Sequence, residues 1–172
     1  MTPDLAHLIS EPLGAIHDRA AFTCGTEALD AYLHKLAGQE QRRNISRVFV
    51  MTGDEPNIIA GYYTLSNFSI DLTEIPDEQI RRLPRHPEIP AALIGRLAVA
   101  TAYQGRGLGR DLLMDALVQI IDKSDSIGIY AVVVDAIDDR AAAFYEKYGF
   151  IRFPSRPDRL FLPIETAKKA FA

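Results

Sequence analysis

Hydrophobic residues in the first third of the chain recur first at helical and then at strand spacing. In FTCGTEALDAYLHKLAGQEQRR, which begins at Phe22, Thr26 is suited to cap a helix. The face of this helix that is expected to be buried carries Leu29, Leu33, Leu36 and Ala37. The stretches SRVFVMT and NIIAGYYTLSNFSI follow, separated by the turn-forming GDEPN. The pattern predicts a helix followed by an antiparallel β-hairpin.

Prolines interrupt the middle of the chain. In TEIPDEQIRRLPRHPEIP, which starts at Thr73, four prolines exclude a long helix, and a short helix followed by a loop is expected. The next stretch, AALIGRLAVA from Ala91 to Ala100, has the composition of a buried strand.

The C-terminal part of the chain alternates helices and strands. A helix is predicted in RDLLMDALVQIIDKSDSIG, with an apolar face formed by Leu112, Leu113, Ala116, Leu117, Ile120 and Ile121. Its acidic residues are expected to face water, and these are Asp111, Asp115 and Asp122. IYAVVVDA is an interior strand, DDRAAAFYEKYG a helix that ends at Gly149, and FIRFP and RLFLPI are closing strands. The order β, α, β, α, β over 91–164, without an interior linker, predicts one α/β domain over 1–172.

Composition limits the class of protein. The 172 residues are 48% hydrophobic, which is enough for a sizeable core. No apolar run approaches the ~20 residues that a bilayer span needs, and the N-terminus lacks a basic segment followed by an apolar core, so we expect a cytoplasmic protein without membrane contact. The single Cys24 excludes an internal disulfide. The histidines lack metal-ligand spacing, so no metal is expected, and they are His7, His17, His34 and His86.

Charge is unevenly distributed along the chain. The formal net charge is −4, yet residues 140–172 contain seven basic and three acidic residues. This asymmetry is compatible with a local basic surface for a polyanion and equally with ordinary solubilising charge.

The stretch TAYQGRGLGRDLL places glycines at alternate positions, Gly105, Gly107 and Gly109, directly before a predicted helix. The start of a helix presents unpaired amide N–H groups and a partial positive charge, and glycines let an anion such as a pyrophosphate approach them closely. A tight strand-to-helix connection would also use glycines. The spacing G-x-G-x-G matches neither the P-loop, which ends in Gly-Lys-Ser or Gly-Lys-Thr, nor the dinucleotide fingerprint G-x-G-x-x-G.

The spacing Gln104-x-x-Gly107-x-Gly109, after LAV and before an amphipathic helix, resembles the acetyl-CoA-binding signature of the GNAT acetyltransferase superfamily. A second GNAT motif is matched downstream by Asp138, Ala141, Tyr145, Gly149 and Phe150, although that family usually has asparagine at the first of these positions. The resemblance implies a mixed α/β fold, in which helices flank a central and mostly antiparallel sheet.

The resemblance also implies roles for individual residues. Tyr145 would be the catalytic general acid that protonates the departing thiolate of CoA. The strand Leu97, Ala98 and Val99 would hold the pantetheine arm through its backbone, and a backbone N–H near Val99 would polarise the thioester carbonyl. The implied cofactor-binding residues are Leu97, Ala98, Val99, Gln104, Gly105, Arg106, Gly107, Leu108, Gly109, Arg110, Asp138, Ala141 and Phe144. The co-substrate would be acetyl-CoA, without a metal.

The acceptor of the acetyl group must be a neutral amine. No residue has the pattern of a strong general base, and candidates by residue type alone are Glu40, Asp71, Glu74 and His86. An α-amine with a pKa near ~8 is largely neutral at pH 7 to 8, whereas a lysine at ~10.4 costs about 3 kcal/mol more to deprotonate. An α-amine is therefore favoured. Cys24 lacks a paired histidine, so we interpret it as part of a packed turn rather than as a nucleophile.

From about Phe22 to Phe161 the chain is similar to the GNAT toxins of toxin–antitoxin systems, which acetylate the α-amine of aminoacyl-tRNA. This resemblance implies a homodimer, an aminoacyl-tRNA substrate that is held by basic residues, and a ribbon-helix-helix antitoxin. Phosphate contacts would come from Arg42, Arg43, Arg47, Arg81, Arg82, Arg85 and the basic residues of the C-terminus. The alternatives are an acetyltransferase for a small-molecule amine or a protein N-terminus, and a non-catalytic acetyl-CoA-binding module.

Overall fold

A computed structural model describes residues 9–76, 78 and 88–171 of the protein. Within these residues the strands are β1 Glu11–Pro12, β2 Arg47–Thr52, β3 Ile59–Asp71, β4 Glu88–Val99, β5 Ala131–Asp135, β6 Ile151–Phe153 and β7 Arg156–Pro163. The helices are α1 Glu27–Ala31, α2 Ala37–Arg42, α3 Leu108–Lys123, α4 Asp139–Lys147 and α5 Ile164–Ala170. A π-helical turn, Tyr32–Leu36, joins α1 to α2, and 3₁₀ turns lie at Leu72–Glu74 and Thr101–Tyr103.

The strands form a mixed sheet in the order β1-β2-β3-β4-β5-β7-β6. The pairs β1–β2, β2–β3, β5–β7 and β6–β7 are antiparallel, whereas β4 and β5 are parallel over Ala91–Ile94 and Ala131–Val134. The antiparallel hairpin β2–β3 confirms the prediction for SRVFVMT and NIIAGYYTLSNFSI. The mixed sheet with accompanying helices confirms the expected fold class. The predicted short helix and loop around Pro84 lie largely outside the described residues.

The contacts of the chain cluster into two compact units. The first, here called the turn unit, comprises the described residues of Asp4–Ser66 together with Gly95–Gln119. The second, here called the tyrosine unit, comprises the described residues of Asn67–Ile94 and of Ile120–Ala172. The expectation of a single domain over the whole chain stays a prediction.

The core of the turn unit lies between the first helical segment and the hairpin. Leu29, Leu33 and Ala37 are buried there as predicted, but Leu36 is 47% exposed. The π-helical turn explains the difference, because its wider spacing moves Leu36 off the buried face. Thr26 does precede α1, although its side chain makes no capping hydrogen bond.

Asp115 of α3 does not face water as the pattern predicted, since it is only 5% exposed. Its carboxylate accepts hydrogen bonds from the Ile9 amide at 2.8 Å, the Tyr63 hydroxyl at 2.7 Å and the Ser10 hydroxyl. A buried carboxylate needs such donors to offset its lost hydration. Asp115 therefore fastens the N-terminal segment and β3 to α3.

The tyrosine unit has its own apolar cluster and a well-defined helix end. The cluster is formed by Ile70, Ile75, Ile89, Ala91, Ala131, Val133, Phe153 and Phe161. Helix α4 ends as predicted before Gly149, whose φ of +95° is the left-handed conformation typical of a residue after a helix. The short β1 and helix α5 are elements that the hydrophobic pattern did not predict.

In the described part of the chain, no helix is long and apolar enough to cross a membrane. The same residues contain no group of three or more histidine, cysteine, aspartate or glutamate side chains that could hold a metal ion. His7 and His86 lie outside the described residues.

We predict that Gly61→Ala destabilises the protein by about 1–3 kcal/mol, because strand β3 passes too close to its neighbours for a side chain at this position. A Cβ atom on Gly61 would lie 2.7 Å from Cδ1 of Leu112 and 2.9 Å from the carbonyl oxygen of Ala98. Thermal unfolding measures the effect. Gly128→Ala is the control, since no heavy atom lies within 4 Å of a Cβ there. Equal melting temperatures for the two variants would contradict the prediction.

Candidate active site

At the end of β4, the backbone N–H and C=O groups of successive residues point alternately toward β3 and away from it. Ala100 donates its amide to the Ala60 carbonyl at 2.8 Å, and the Ala98 carbonyl faces Gly61, so both alanines use their backbone toward β3. Successive strand residues point their backbone groups to opposite sides, so Leu97 and Val99 point away from β3. Of the three residues predicted to hold pantetheine through the backbone, Leu97 and Val99 direct their backbone groups away from β3 and Ala98 directs its carbonyl toward it, and the role of all three stays a prediction.

The glycine turn that follows has open space and unpaired amides. Gly105 and Gly107 adopt φ values of +81° and +79°, and no heavy atom lies within 4 Å of a Cβ at either position. The first helical hydrogen bond of α3 runs from the Asp111 amide to the Gly107 carbonyl at 3.2 Å. Among the described residues, no backbone carbonyl accepts from the amides of 105–110. The turn can therefore offer consecutive N–H groups to an anion.

Gln104 holds this turn in place with its side chain. Its Nε2 atom donates to the carbonyl oxygens of Cys24 at 2.9 Å and Val99 at 3.0 Å. One side chain thus ties the turn both to the end of β4 and to the loop before α1. Gln104 therefore positions the turn relative to Val99 at the end of β4.

The other predicted residues of the turn differ in exposure. Arg106 and Arg110 are exposed, and the Arg106 guanidinium donates to the Ala102 carbonyl at 3.4 Å while lying 5.2 Å from the centre of the Tyr103 ring. Leu108 and Gly109 are half-buried in the first turn of α3. Gly109 is therefore a helical residue, and the left-handed backbone of the turn comes from Gly105 and Gly107.

Cys24 lies in a packed turn, as expected from its sequence context. Its amide donates to the Asp30 carboxylate at 2.8 Å, and its thiol lies 3.6 Å from the Thr26 carbonyl oxygen. Burial and the hydrogen bond with Asp30 raise the pKa of the Cys24 thiol to about 11. Because the thiol stays protonated near neutral pH, it is a poor nucleophile.

In the tyrosine unit, Asp138 caps α4. Its carboxylate accepts the Ala141 amide at 2.8 Å, the typical interaction of an acidic residue at the start of a helix. Asp138 is exposed and Ala141 is half-buried. The aspartate that replaces the usual asparagine of the motif thus has a local structural role.

Tyr145 is enclosed by aromatic rings in the same unit. Its ring centre lies 5.3 Å from that of Phe144 and 5.6 Å from that of Phe150, both with edge-to-face geometry. The side chain is 6% exposed, and none of the described residues hydrogen-bonds its hydroxyl. Burial raises the pKa of the Tyr145 phenol above its usual range, and the Asp135 carboxylate acts in the same direction. The hydroxyl therefore keeps its proton at neutral pH and can donate it.

Comparison with known proteins identifies the family. A family model described as the acetyltransferase (GNAT) domain matches residues 44–152. A probable toxin TacT of Sinorhizobium fredii (strain NBRC 101917 / NGR234) is 39% identical over 171 residues, which cover 95% of this chain and 94% of the relative. The chain belongs to the GNAT acetyltransferase family.

Other similar GNAT proteins carry more specific names. A tRNA-acetylating toxin of Mycobacterium tuberculosis (strain ATCC 25618 / H37Rv) is 36% identical, with 88% of this chain and 89% of that protein covered. A structure of AtaT complexed with acetyl-methionyl-tRNAfMet has a TM-score of 0.87 at 28% identity, with 95% and 98% covered. A mutant AtaT toxin bound to acetyl-CoA and to the C-terminus of the antitoxin AtaR has a TM-score of 0.81 at 28% identity, with 95% and 97% covered.

Two of the four candidate general bases of this GNAT protein are engaged by hydrogen-bond donors. Glu40 accepts hydrogen bonds from the Tyr32 hydroxyl at 3.0 Å and the Ser46 hydroxyl at 3.2 Å. Hydrogen bonds from the amide and hydroxyl of Thr73 lower the pKa of the exposed Asp71. Glu74 ends a 3₁₀ turn, and His86 lies outside the described residues.

The basic residues are only partly available for a polyanion. Arg42, Arg43 and Arg47 are exposed around the end of α2, whereas Arg81, Arg82 and Arg85 lie outside the described residues. Of the C-terminal basic residues, Arg159 is occupied, because its guanidinium binds both carboxylate oxygens of Asp135 at 2.7 and 3.2 Å. The hydrophobic and charge patterns did not predict this pair, nor did they predict that the Arg96 guanidinium lies over the Tyr32 ring. Both contacts join residues far apart in sequence, and no local motif signals them.

Proposed function

We propose that this protein transfers the acetyl group of acetyl-CoA to the α-amine of aminoacyl-tRNA and acts as the toxin of a toxin–antitoxin pair. The observation that carries the proposal is the 36% identity to a tRNA-acetylating toxin across 88% of the chain. Acetylation would convert the amine into an amide, which can no longer act as the nucleophile of peptide-bond formation.

The turn unit supplies features that fit acetyl-CoA. The consecutive unpaired amides of 105–110, with the partial positive charge at the start of α3, would bind the pyrophosphate. The backbone groups of Leu97 and the amide of Val99 point away from β3 and would bind the pantetheine arm and polarise the thioester carbonyl. Ala98 would contribute as a buried neighbour rather than through its backbone.

Tyr145 would act as the general acid of the reaction. The neutral α-amine attacks the thioester carbonyl carbon, the carbon–sulfur bond breaks, and the departing sulfur takes the proton of the Tyr145 hydroxyl. The surplus proton of the amine leaves to solvent, and the phenolate recovers a proton from water. The raised pKa of Tyr145 keeps the acid protonated across the neutral pH range.

The engagement of two candidate bases among the described residues supports an α-amine as the acceptor. Since Glu40 and Asp71 are engaged by hydroxyl and amide donors, deprotonation of a lysine would have little assistance. An α-amine near ~8 is about 3 kcal/mol easier to deprotonate than a lysine near ~10.4. This difference supports an aminoacyl ester over a lysine side chain.

The partners proposed for this protein are a second copy of the chain, a tRNA and a ribbon-helix-helix antitoxin. The exposed Arg42, Arg43 and Arg47 would contribute phosphate contacts. Similarity to an AtaT toxin whose structure contains the C-terminus of AtaR supports the antitoxin. The homodimer follows from the resemblance to this group of toxins, and we propose a cytoplasmic location on the same ground.

We predict that Gly107→Glu weakens acetyl-CoA binding by ~100-fold or more, because it strains a left-handed backbone and brings a carboxylate to the site proposed for the pyrophosphate. Isothermal titration calorimetry measures the dissociation constant. Gly128→Glu adds the same charge at an open, exposed position and should bind normally. Normal binding by Gly107→Glu would overturn the pyrophosphate assignment.

We predict that Tyr145→Phe lowers kcat by ~100-fold or more and leaves acetyl-CoA affinity nearly unchanged, since only the transferable proton is removed. The melting temperature should also be preserved, because no described residue hydrogen-bonds this hydroxyl. Single-turnover transfer and calorimetry together separate chemistry from binding. Undiminished turnover would show that Tyr145 is not the general acid.

A further inference from the structure

Arg96 of β4 is held in an unusual environment within the turn unit. Its guanidinium carbon lies 3.6 Å from the centre of the Tyr32 ring. That ring is only 2% exposed, and it is fixed by hydrogen bonds between its hydroxyl and Glu40 at 3.0 Å and Ser46 at 3.1 Å. The Tyr32 ring also stacks on Tyr62, with 6.2 Å between ring centres. A rigid aromatic platform thus supports one face of the guanidinium.

The donors of this guanidinium are unused. Across residues 9–76, 78 and 88–171, no oxygen atom accepts a hydrogen bond from the Arg96 side chain, and no carboxylate lies within ion-pair distance of it. The half-buried Arg159, by contrast, binds both carboxylate oxygens of Asp135, and Arg152 contacts Glu146 at 2.9 Å. The aromatic ring attracts the cation but accepts no hydrogen bond in the plane of the guanidinium, and the half-buried side chain leaves its N–H groups accessible to solvent or to a ligand. An anionic ligand would replace solvent at these N–H groups.

The position of Arg96 connects it with the reaction. It directly precedes Leu97, whose backbone is proposed to bind the pantetheine arm. Arg96 shares one face of β4 with Ala98 and Ala100, which pack in the same apolar cluster as Tyr32. The guanidinium therefore lies on β4, the strand proposed to bind the thioester. It is on the face of β4 that packs against the first helical segment.

We infer that Arg96 binds a backbone phosphate of the tRNA acceptor end, next to the aminoacyl ester. This inference rests on the proposed function. A planar guanidinium can donate two parallel hydrogen bonds to a phosphate, and arginine is preferred over lysine where this geometry matters. Because Tyr32 already fixes the side chain, little further conformational entropy is lost when the phosphate binds. Arg96 would thereby place the α-amine at the acetyl donor.

The test compares two acceptors that differ in their phosphates. The first is the aminoacyl-tRNA that the wild-type protein acetylates best, and the second is the aminoacyl-adenosine ester of the same amino acid, which has no phosphate. Arg96→Met should raise KM for the tRNA by ~10-fold or more and change KM for the adenosine ester less than ~2-fold. Acetyl-CoA affinity should not change.

Salt dependence tests the chemical nature of the contact. Loss of one phosphate contact should reduce the slope of log KM against log salt concentration by roughly 0.7 to 0.9. Lys123→Met is the charge-matched control, because Lys123 is an exposed cation paired with Asp122, and it should leave both KM values unchanged. Arg96→Lys should restore the salt slope but only part of the affinity, since an ammonium lacks the planar pair of donors.

Three results would overturn the inference. An equal increase in KM for both acceptors would show that Arg96 contacts the aminoacyl group or only supports the fold. A fall in the melting temperature of Arg96→Met would identify the structural role. An increase in KM without a change in salt slope would indicate base stacking instead of phosphate binding. An unaltered KM of Arg96→Met for the tRNA would refute the inference about Arg96 but not the proposed function. A wild-type protein that acetylates no aminoacyl-tRNA would refute both.

Discussion

The backbone amides at the start of α3, which have no carbonyl partner among the described residues, are the feature on which the proposed binding of acetyl-CoA depends. They are available because Gly105 and Gly107 turn the chain through left-handed conformations and leave the space above the turn open. Gln104 keeps the turn in this position through two hydrogen bonds, to Cys24 and Val99. A single side chain therefore couples the glycine turn, proposed to bind the pyrophosphate, to the strand whose backbone is proposed to bind the rest of the cofactor.

Two charged side chains of the turn unit, Asp115 and Arg96, lie largely or partly out of solvent but differ in their hydrogen bonds. The Asp115 carboxylate is buried and satisfied by three donors, so its role is structural. Arg96 is half-buried, and its donors have no protein partner among the described residues while its guanidinium lies over the Tyr32 ring. A buried carboxylate that accepts from three protein donors has a structural role, whereas a half-buried guanidinium without a protein acceptor among the described residues is a candidate binding residue.

Local patterns predicted much of this molecule, and long-range contacts account for the errors. The β2–β3 hairpin, the apolar face of α3 and the end of α4 before Gly149 follow from spacing within short stretches. Asp115 was misplaced because its donors Ile9 and Tyr63 come from distant parts of the chain. Leu36 was misplaced because nothing in its spacing signals a π-helical turn. The glycine turn and Tyr145 could be predicted as site residues because their motifs are compact, and their roles stay predictions. The Arg96–Tyr32 pair joins residues 64 positions apart, so no local motif indicates it.

The most direct test of the account is to follow the acetyl group itself. The purified protein would be incubated with radiolabelled acetyl-CoA and a pool of charged tRNAs, and the tRNA would then be deacylated with mild alkali. The account predicts that the label leaves the tRNA as an N-acetylamino acid. A tRNA fraction without label, or label found only on protein lysines or small amines, would contradict it.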